Sequence, residues 1–162
     1  MNSRTIKVFL ICLLFFSFSS SLQAEEKSSP IKITSDRLIS DNKSQIITFI
    51  GNVKVVREDL EMTADAMDIL QEKSDDGKSG IDMIVARGNV KINKKGKYAT
   101  AEKAIYYEAL QKIILSGSPR SWEDKNEISG EEMTFFMNED RLVVKQGKKK
   151  QVNVIFYPEK KQ

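Results

Sequence analysis

Met62-Thr63-Ala64-Asp65-Ala66-Met67 is one of four copies of a short pattern: apolar, hydroxyl, small, acid, any, apolar. The others are Ile33-Thr34-Ser35-Asp36-Arg37-Leu38, Ala99-Thr100-Ala101-Glu102-Lys103-Ala104 and Ile128-Ser129-Gly130-Glu131-Glu132-Met133. Met62 and Ala64 alternate with Thr63 and Asp65, the period of a strand with one face turned inward. Met67 is out of step with that alternation, and such a slip predicts a corner or bulge. Ser35, Ala64, Ala101 and Gly130 would fill the tight inner position there. The adjoining Asp36, Asp65, Glu102 and Glu131 would accept backbone N–H bonds at the bend.

Aligned on their acids, the copies are 29, 37 and 29 residues apart. The long interval holds residues 72–80, charged and glycine-bearing, which read as a loop insertion. A second element keeps the same phase. Gly51-Asn52-Val53-Lys54-Val55 recurs as Gly88-Asn89-Val90-Lys91-Ile92, with a weaker copy at Gly117-Ser118-Pro119. Each of these glycines precedes the next small inner residue by 13 positions. A fixed period near 29 residues signals stacked units that bury their apolar faces only against one another.

The units are strands. Ile47, Phe49, Val53 and Val55, and again Ile84, Ala86, Val90 and Ile92, alternate with more polar neighbours and are rich in β-branched residues. Glycine at the same phase in each copy predicts a sheet that bends at the same level every time. Thr63 to Gln71 and Thr100 to Leu110 rival this as helices, but their copies at Ser35 and Ser129 contain weaker helix formers. A last strand would hold Val152, Val154 and Phe156, followed by a short tail after about residue 158. The expected fold is therefore all-β, a single domain of antiparallel strands with an apolar interior. The inward set includes Ile31, Ile33, Phe49, Val53, Val55, Met62, Val90, Ile92, Ile113, Leu115 and Phe135. Pattern alone leaves open whether that interior is a closed core or a groove.

Residues 1–24 stand apart. Arg4 and Lys7 precede the apolar run Val8–Phe18, and small polar residues lead to Leu22-Gln23-Ala24. This is the plan of a cleaved secretory signal peptide, and the run is shorter than the roughly 20 residues that span a bilayer. Ile11 before Cys12 is too large for a lipoprotein site. Removal of 24 residues from 162 would leave 138, a one-domain length at residues 25–162. That mature chain would hold no cysteine, no histidine and 24 basic against 23 acidic residues. Disulfide and metal staples, and histidine or thiol catalysis, are thereby unsupported. The near-neutral balance argues against nucleic acid as a partner. Paired carboxylates could in principle hydrolyse a glycoside, yet Asp65 and Glu102 recur with the repeat rather than forming one site. No catalytic residue, metal or cofactor is expected.

The order Ile31-Lys32-Ile33-Thr34-Ser35-Asp36, then Thr48-Phe49-Ile50-Gly51-Asn52-Val53, then the Thr-Ala-Asp corner, then Ala104-Ile105-Tyr106-Tyr107-Glu108, resembles the LptA/OstA-like family. Those are periplasmic lipopolysaccharide-transport proteins of Gram-negative bacteria, and the resemblance covers about residues 30–158. It implies a twisted antiparallel β-jellyroll, open at both ends, with lipid acyl chains inside. It also implies head-to-tail stacking, and inner- and outer-membrane partners sharing the fold. Carried over residue by residue, Ile31, Ile33 and Tyr107 would point inward. The implied lipid groove is Ile31, Ile33, Phe49, Val53, Val55, Met62, Val90, Ile92, Tyr107, Leu115 and Phe135. The implied assembly edges are Ile31 and Ile33 at one end, and Val152, Val154 and Phe156 at the other. Residues 72–80 and the short C-terminal tail depart from the family's pattern. A lysine run, Lys148-Lys149-Lys150, reads either as a solvated turn or as an attractor of lipid phosphates. Two further readings remain: a β scaffold with a dry core, and the membrane-anchored partner of the same transport system.

Overall fold

A computed structural model describes residues 29–73, 79–148 and 151–158. The signal segment 1–24, Lys149 and Lys150 lie outside the described residues. Residues 74–78 lie outside them too.

Among the described residues, all regular structure is antiparallel sheet apart from one 3-10 turn, Met137–Glu139. Four long strands form the middle: β3 (Ile46–Arg57), β4 (Leu60–Lys73), β5 (Ser79–Lys94) and β6 (Lys97–Tyr107). Each bends at one level, so each contributes to two arms. Arm A holds the halves 46–50, 66–73, 79–87 and 103–107. Arm B holds the halves 53–57, 60–64, 90–94 and 97–101. Shorter strands extend the arms on both sides. β2 (Arg37–Asp41) joins arm A and β1 (Lys32–Thr34) joins arm B, both pairing with β3. Beyond β6, arm A continues through β7 (Lys112–Ser116), β10 (Glu132–Phe136) and β11 (Arg141–Lys145). Arm B continues through β8 (Arg120–Glu123), β9 (Asn126–Ser129) and β12 (Asn153–Ile155). Among the described residues each arm is eight strands deep.

The bend is built the same way in each copy. Gly51 and Asn52 have φ of 79° and 46°, and Gly88 and Asn89 repeat this at 74° and 48°. Two successive left-handed residues insert a bulge opposite a single acid of the neighbouring strand. A Cβ on Gly51 would collide with Asp36 Oδ2, and one on Gly88 would collide with Asp65 Oδ2. The acid of the preceding copy, on the other side of the bulge, therefore occupies the space that glycine leaves. Its partner differs from the expected backbone N–H. Asn52 Nδ2 donates to Asp36 Oδ2 at 2.9 Å and Asn89 Nδ2 to Asp65 Oδ2 at 2.8 Å. The glycines thus seat acids at the corner and do not widen the interior.

Between Gly-Asn and the next small residue lies one hairpin. Val53 pairs with Ala64 and Val90 with Ala101 across two-residue turns whose first residues, Glu58 and Lys95, have φ of 53° and 52°. Left-handed turns of this kind match the twist of the flanking strands, and they explain the constant offset of 13 residues. Thr63–Gln71 and Thr100–Tyr107 are strand, as the repeat requires. The expected loop 72–80 is corrected at its ends: Glu72 pairs with Gly80 and Lys73 with Ser79, so strand pairing reaches into this segment.

Candidate functional site

The inner faces of the two arms pack on each other as one core. In arm A a single cross-strand row runs from edge to edge: Leu38, Phe49, Met67, Ala86, Ala104, Leu115, Met133, Val144. Every position is apolar. Met67 and Met133 are 0% exposed, and Leu115 and Ala86 are 1% exposed. A second row, Ile47, Ile69, Ile84, Tyr106, Ile113, Phe135 and Leu142, lies one rung nearer the open margin. Arm B faces it with Ile33, Val55, Met62, Ile92, Ala99, Ser121, Ile128 and Val154. The one hydroxyl in that row is turned back, since Ser121 Oγ donates to the Tyr98 carbonyl at 3.1 Å.

The expected groove residues divide into three groups. Phe49, Val53, Val55, Val90 and Leu115 are buried between the arms, and Ile33, Met62, Ile92 and Phe135 are partly buried on the same inner faces. Ile31 precedes β1 and is exposed. Tyr107 is a correction: it stands on the outer face of arm A in line with Lys103 and Ile105, and Tyr106 takes the inward place. The cause is the phase slip at Glu102, which moves inward parity from Ala99 and Ala101 to Ala104 and Tyr106. Met67, Ile69, Ala86, Ala104, Met133, Leu142 and Val144 complete the interior and were absent from the expected set. The Met67 slip was the signal for them.

No ladder pairing joins the free margins of the two arms among the described residues. The arms meet along the corner and are otherwise held by packing. Tyr106 stands near that free margin. Burial, and then the Glu108 carboxylate, push its hydroxyl up to about 12, while the Arg57 charge acts in the opposite direction. Gln111 Nε2 donates to Tyr106 Oη at 2.9 Å. The phenol therefore stays neutral and polar at physiological pH.

The two ends expose apolar side chains on unpaired edges. Leu38 of β2 is 56% exposed, Val154 of β12 is 58% and Phe156 just after it is 70%. Val152, just before β12, is exposed as well, so the last ladder is shorter than the alternation predicted.

Over residues 32–153 the chain matches the family described as LptA/(LptD N-terminal domain) LPS transport protein, and it belongs to that family. It is 24% identical over 149 residues to the lipopolysaccharide export system protein LptA of Escherichia coli K12, covering 90% of this chain and 80% of that protein. The LptA of Shigella flexneri gives the same figures. Its fold is similar to that of LptH from Pseudomonas aeruginosa, the LptA homologous periplasmic component of a conserved lipopolysaccharide transport device. The TM-score there is 0.70 at 14% identity, covering 80% of this chain and 96% of that one.

Proposed function

We propose that this chain is a periplasmic carrier of lipopolysaccharide, holding acyl chains between its two arms within a bridge of copies stacked end to end. The observation that carries this reading is the arm A row from Leu38 to Val144, apolar at all eight ranks and ending at an open edge on each side. Each methylene moved from water onto such a surface gains about 0.8 kcal/mol. A lipid with several acyl chains therefore needs a continuous apolar path more than a tight, unique site. The closed interior requires the arms to part at their unbonded margin as the lipid enters. Export would follow cleavage after Ala24.

Strand direction supports the stacking. Neighbours alternate in direction through an even number of ranks, so the first and last strands of each arm run oppositely. The first strand of a second copy can then meet the last strand of the first copy antiparallel in both arms. Exposed edges, ordinarily a hazard, become the joint. The repeat also sets the register. Val154 occupies the place of Val55 and Ile92, whose partners are Met62 and Ala99. Ile33 of the next copy would therefore face Val154, and Ile31 would face Phe156. In arm A, Leu38 of the next copy would cover Val144. The inner- and outer-membrane partners of the bridge would use the same edges.

A photoreactive amino acid placed at Phe49 should capture lipopolysaccharide in cells, and one at Ile50, on the opposite face, should not. Absence of adducts at Phe49, Ile33 and Tyr106 in a folded, exported protein would leave a dry-cored scaffold. Replacing Val154 with Pro should abolish end-to-end assembly while the monomer stays folded; unchanged oligomers would refute the joint.

A further inference from the structure

The outermost rung on the inner face of arm B is not apolar. Cross-strand pairing sets Arg57, Leu60, Lys94, Lys97, Glu123 and Asn126 in one row beyond Val55, Met62 and Ile92. Lys94 and Lys97 are directly opposed across the Lys95-Gly96 turn. Like charges so placed destabilise a sheet. The compensation is slight: the Glu123 carboxylate is 3.7 Å from Lys97, with both side chains more than half exposed. Lys95 is engaged elsewhere, with Asp59 at 2.9 Å. Arg57, Lys94 and Lys97 are all exposed. The matching lip of arm A carries the amides Gln45, Gln71 and Gln111 and one carboxylate, Glu108, which accepts from Gln111 Nε2 at 3.1 Å. The inner faces of the two arms pack as one core and no ladder joins their free margins among the described residues, so the two lips border one slot.

An apolar slot bordered on one side by a cationic lip is the complement of an amphiphile whose anionic head adjoins its tails. We infer that Arg57, Lys94 and Lys97 form a phosphate-binding lip that holds the phosphorylated sugar head of the lipid while its acyl chains lie between the arms. This rests on the slot reading above and adds the site of the head group. It also gives a role to the Lys94–Lys97 pair, whose repulsion a bound phosphate would relieve. Of the expected attractor Lys148-Lys149-Lys150, only Lys148 is among the described residues; it follows β11.

The test is binding of two lipids to the processed protein: a bis-phosphorylated lipid A and its dephosphorylated form with the same acyl chains. The phosphorylated lipid should bind about fivefold or more tightly, the factor one cation supplies near an anionic lipid head. Lys94→Glu should remove that preference and leave the dephosphorylated lipid unchanged. Its melting temperature should not fall, because the new carboxylate would face Lys97. Raised salt should weaken only the phosphorylated lipid. Equal binding of both lipids by the unmodified protein, or equal loss of both in the variant, would overturn the lip and leave the slot standing. Failure of both lipids to bind the unmodified protein would overturn the slot itself. Inorganic phosphate should compete weakly; displacement of the lipid by equimolar inorganic phosphate would reassign the lip as a free-anion site.

Discussion

Arms A and B are cut from the same strands, yet they differ in what they present. Inward, arm A supplies bulk: Phe49, Met67, Ile69, Leu115 and Met133. Arm B buries smaller side chains, Val53, Val55, Ala64, Val90, Ala99 and Ala101, while its larger Met62 and Ile92 are only partly buried. Outward, arm A shows a band of Val85, Ile105, Ile114 and Val143, in which Thr134 is only 7% exposed. Arm B shows Lys54, Thr63, Lys91, Thr100 and Arg120 in the corresponding row. Arm A carries apolar side chains on both faces, whereas arm B has a polar exterior and a charged lip. The shared corner lets one repeat build both. An arm with small inner residues loses less packing when it moves away from its neighbour, so arm B is the side expected to yield to lipid.

The largest effect should come from arm A. Met133→Ala leaves a cavity where nothing was exposed and should cost about 2–5 kcal/mol, read by denaturant unfolding. Val90→Ala in arm B should cost about 2 kcal/mol, in line with the methylenes removed. Equal costs would mean that the arms share the core evenly, contrary to the comparison.

Next comes the corner that joins them. Gly88→Ala forces a left-handed side chain against Asp65 and should cost about 3 kcal/mol. Gly96→Ala has a similar φ of 81° with nothing within 4 Å, and should cost about 1 kcal/mol. The double variant Asp65→Ala, Gly88→Ala should recover the part due to the clash. Asn89→Ala, which removes the latch on Asp65 and leaves an alanine at φ 48°, should cost about 2 kcal/mol.

The smallest effect is a titration on the outer faces. On arm A Arg87 holds Asp68, and on arm B Arg120 holds Glu127. Burial acts to raise the Asp68 carboxyl, but hydrogen bonds from Arg87 and Thr48 outweigh it and hold it below 3.8. The Arg120 hydrogen bond lowers Glu127 from 4.5. Both contributions are present above those ordinary values and are lost as pH falls through the depressed ones. Asp68→Asn should therefore flatten the acid limb of the stability curve below about pH 4. Added salt should weaken the more exposed arginine pair of arm B first.

Much of this was legible in the residues. Repeat length, strand parity and the corner all followed from Gly-Asn and from the Thr-Ala-Asp slip, because backbone sterics act locally. Tyr107 shows where reading stopped short. The slip seen at Asp65 recurs at Glu102, and applying it there would have turned Tyr106 inward. The Gly-Asn strands cross the corner with parity intact, whereas the acid-bearing strands change phase. Residues 72–80 misled for another reason. Charge and glycine suit a loop, yet Glu72, Lys73, Ser79 and Gly80 pair as the outer rungs between β4 and β5. The lip could not be read at all, since Arg57, Lys94 and Lys97 become neighbours only through cross-strand register. The closed state of the interior was likewise hidden, because small residues at Ala64 and Ala101 can equally leave space or admit a facing side chain.

The evenness of the arms limits how such a chain can change its length. One repeat is a hairpin in each arm, so gaining or losing a whole repeat alters the depth by two strands and keeps the end edges compatible. Gain of a single strand would turn the joint parallel and spoil the polarity of every later junction. Arm B is also cut in mid-repeat: β12 closes one end and β1 opens the other. Together they amount to one hairpin lacking its turn. A filament of these proteins would then be, in backbone terms, one unbroken repeat ladder interrupted only covalently. Such a ladder could be lengthened to suit the gap between two membranes without redesigning any surface.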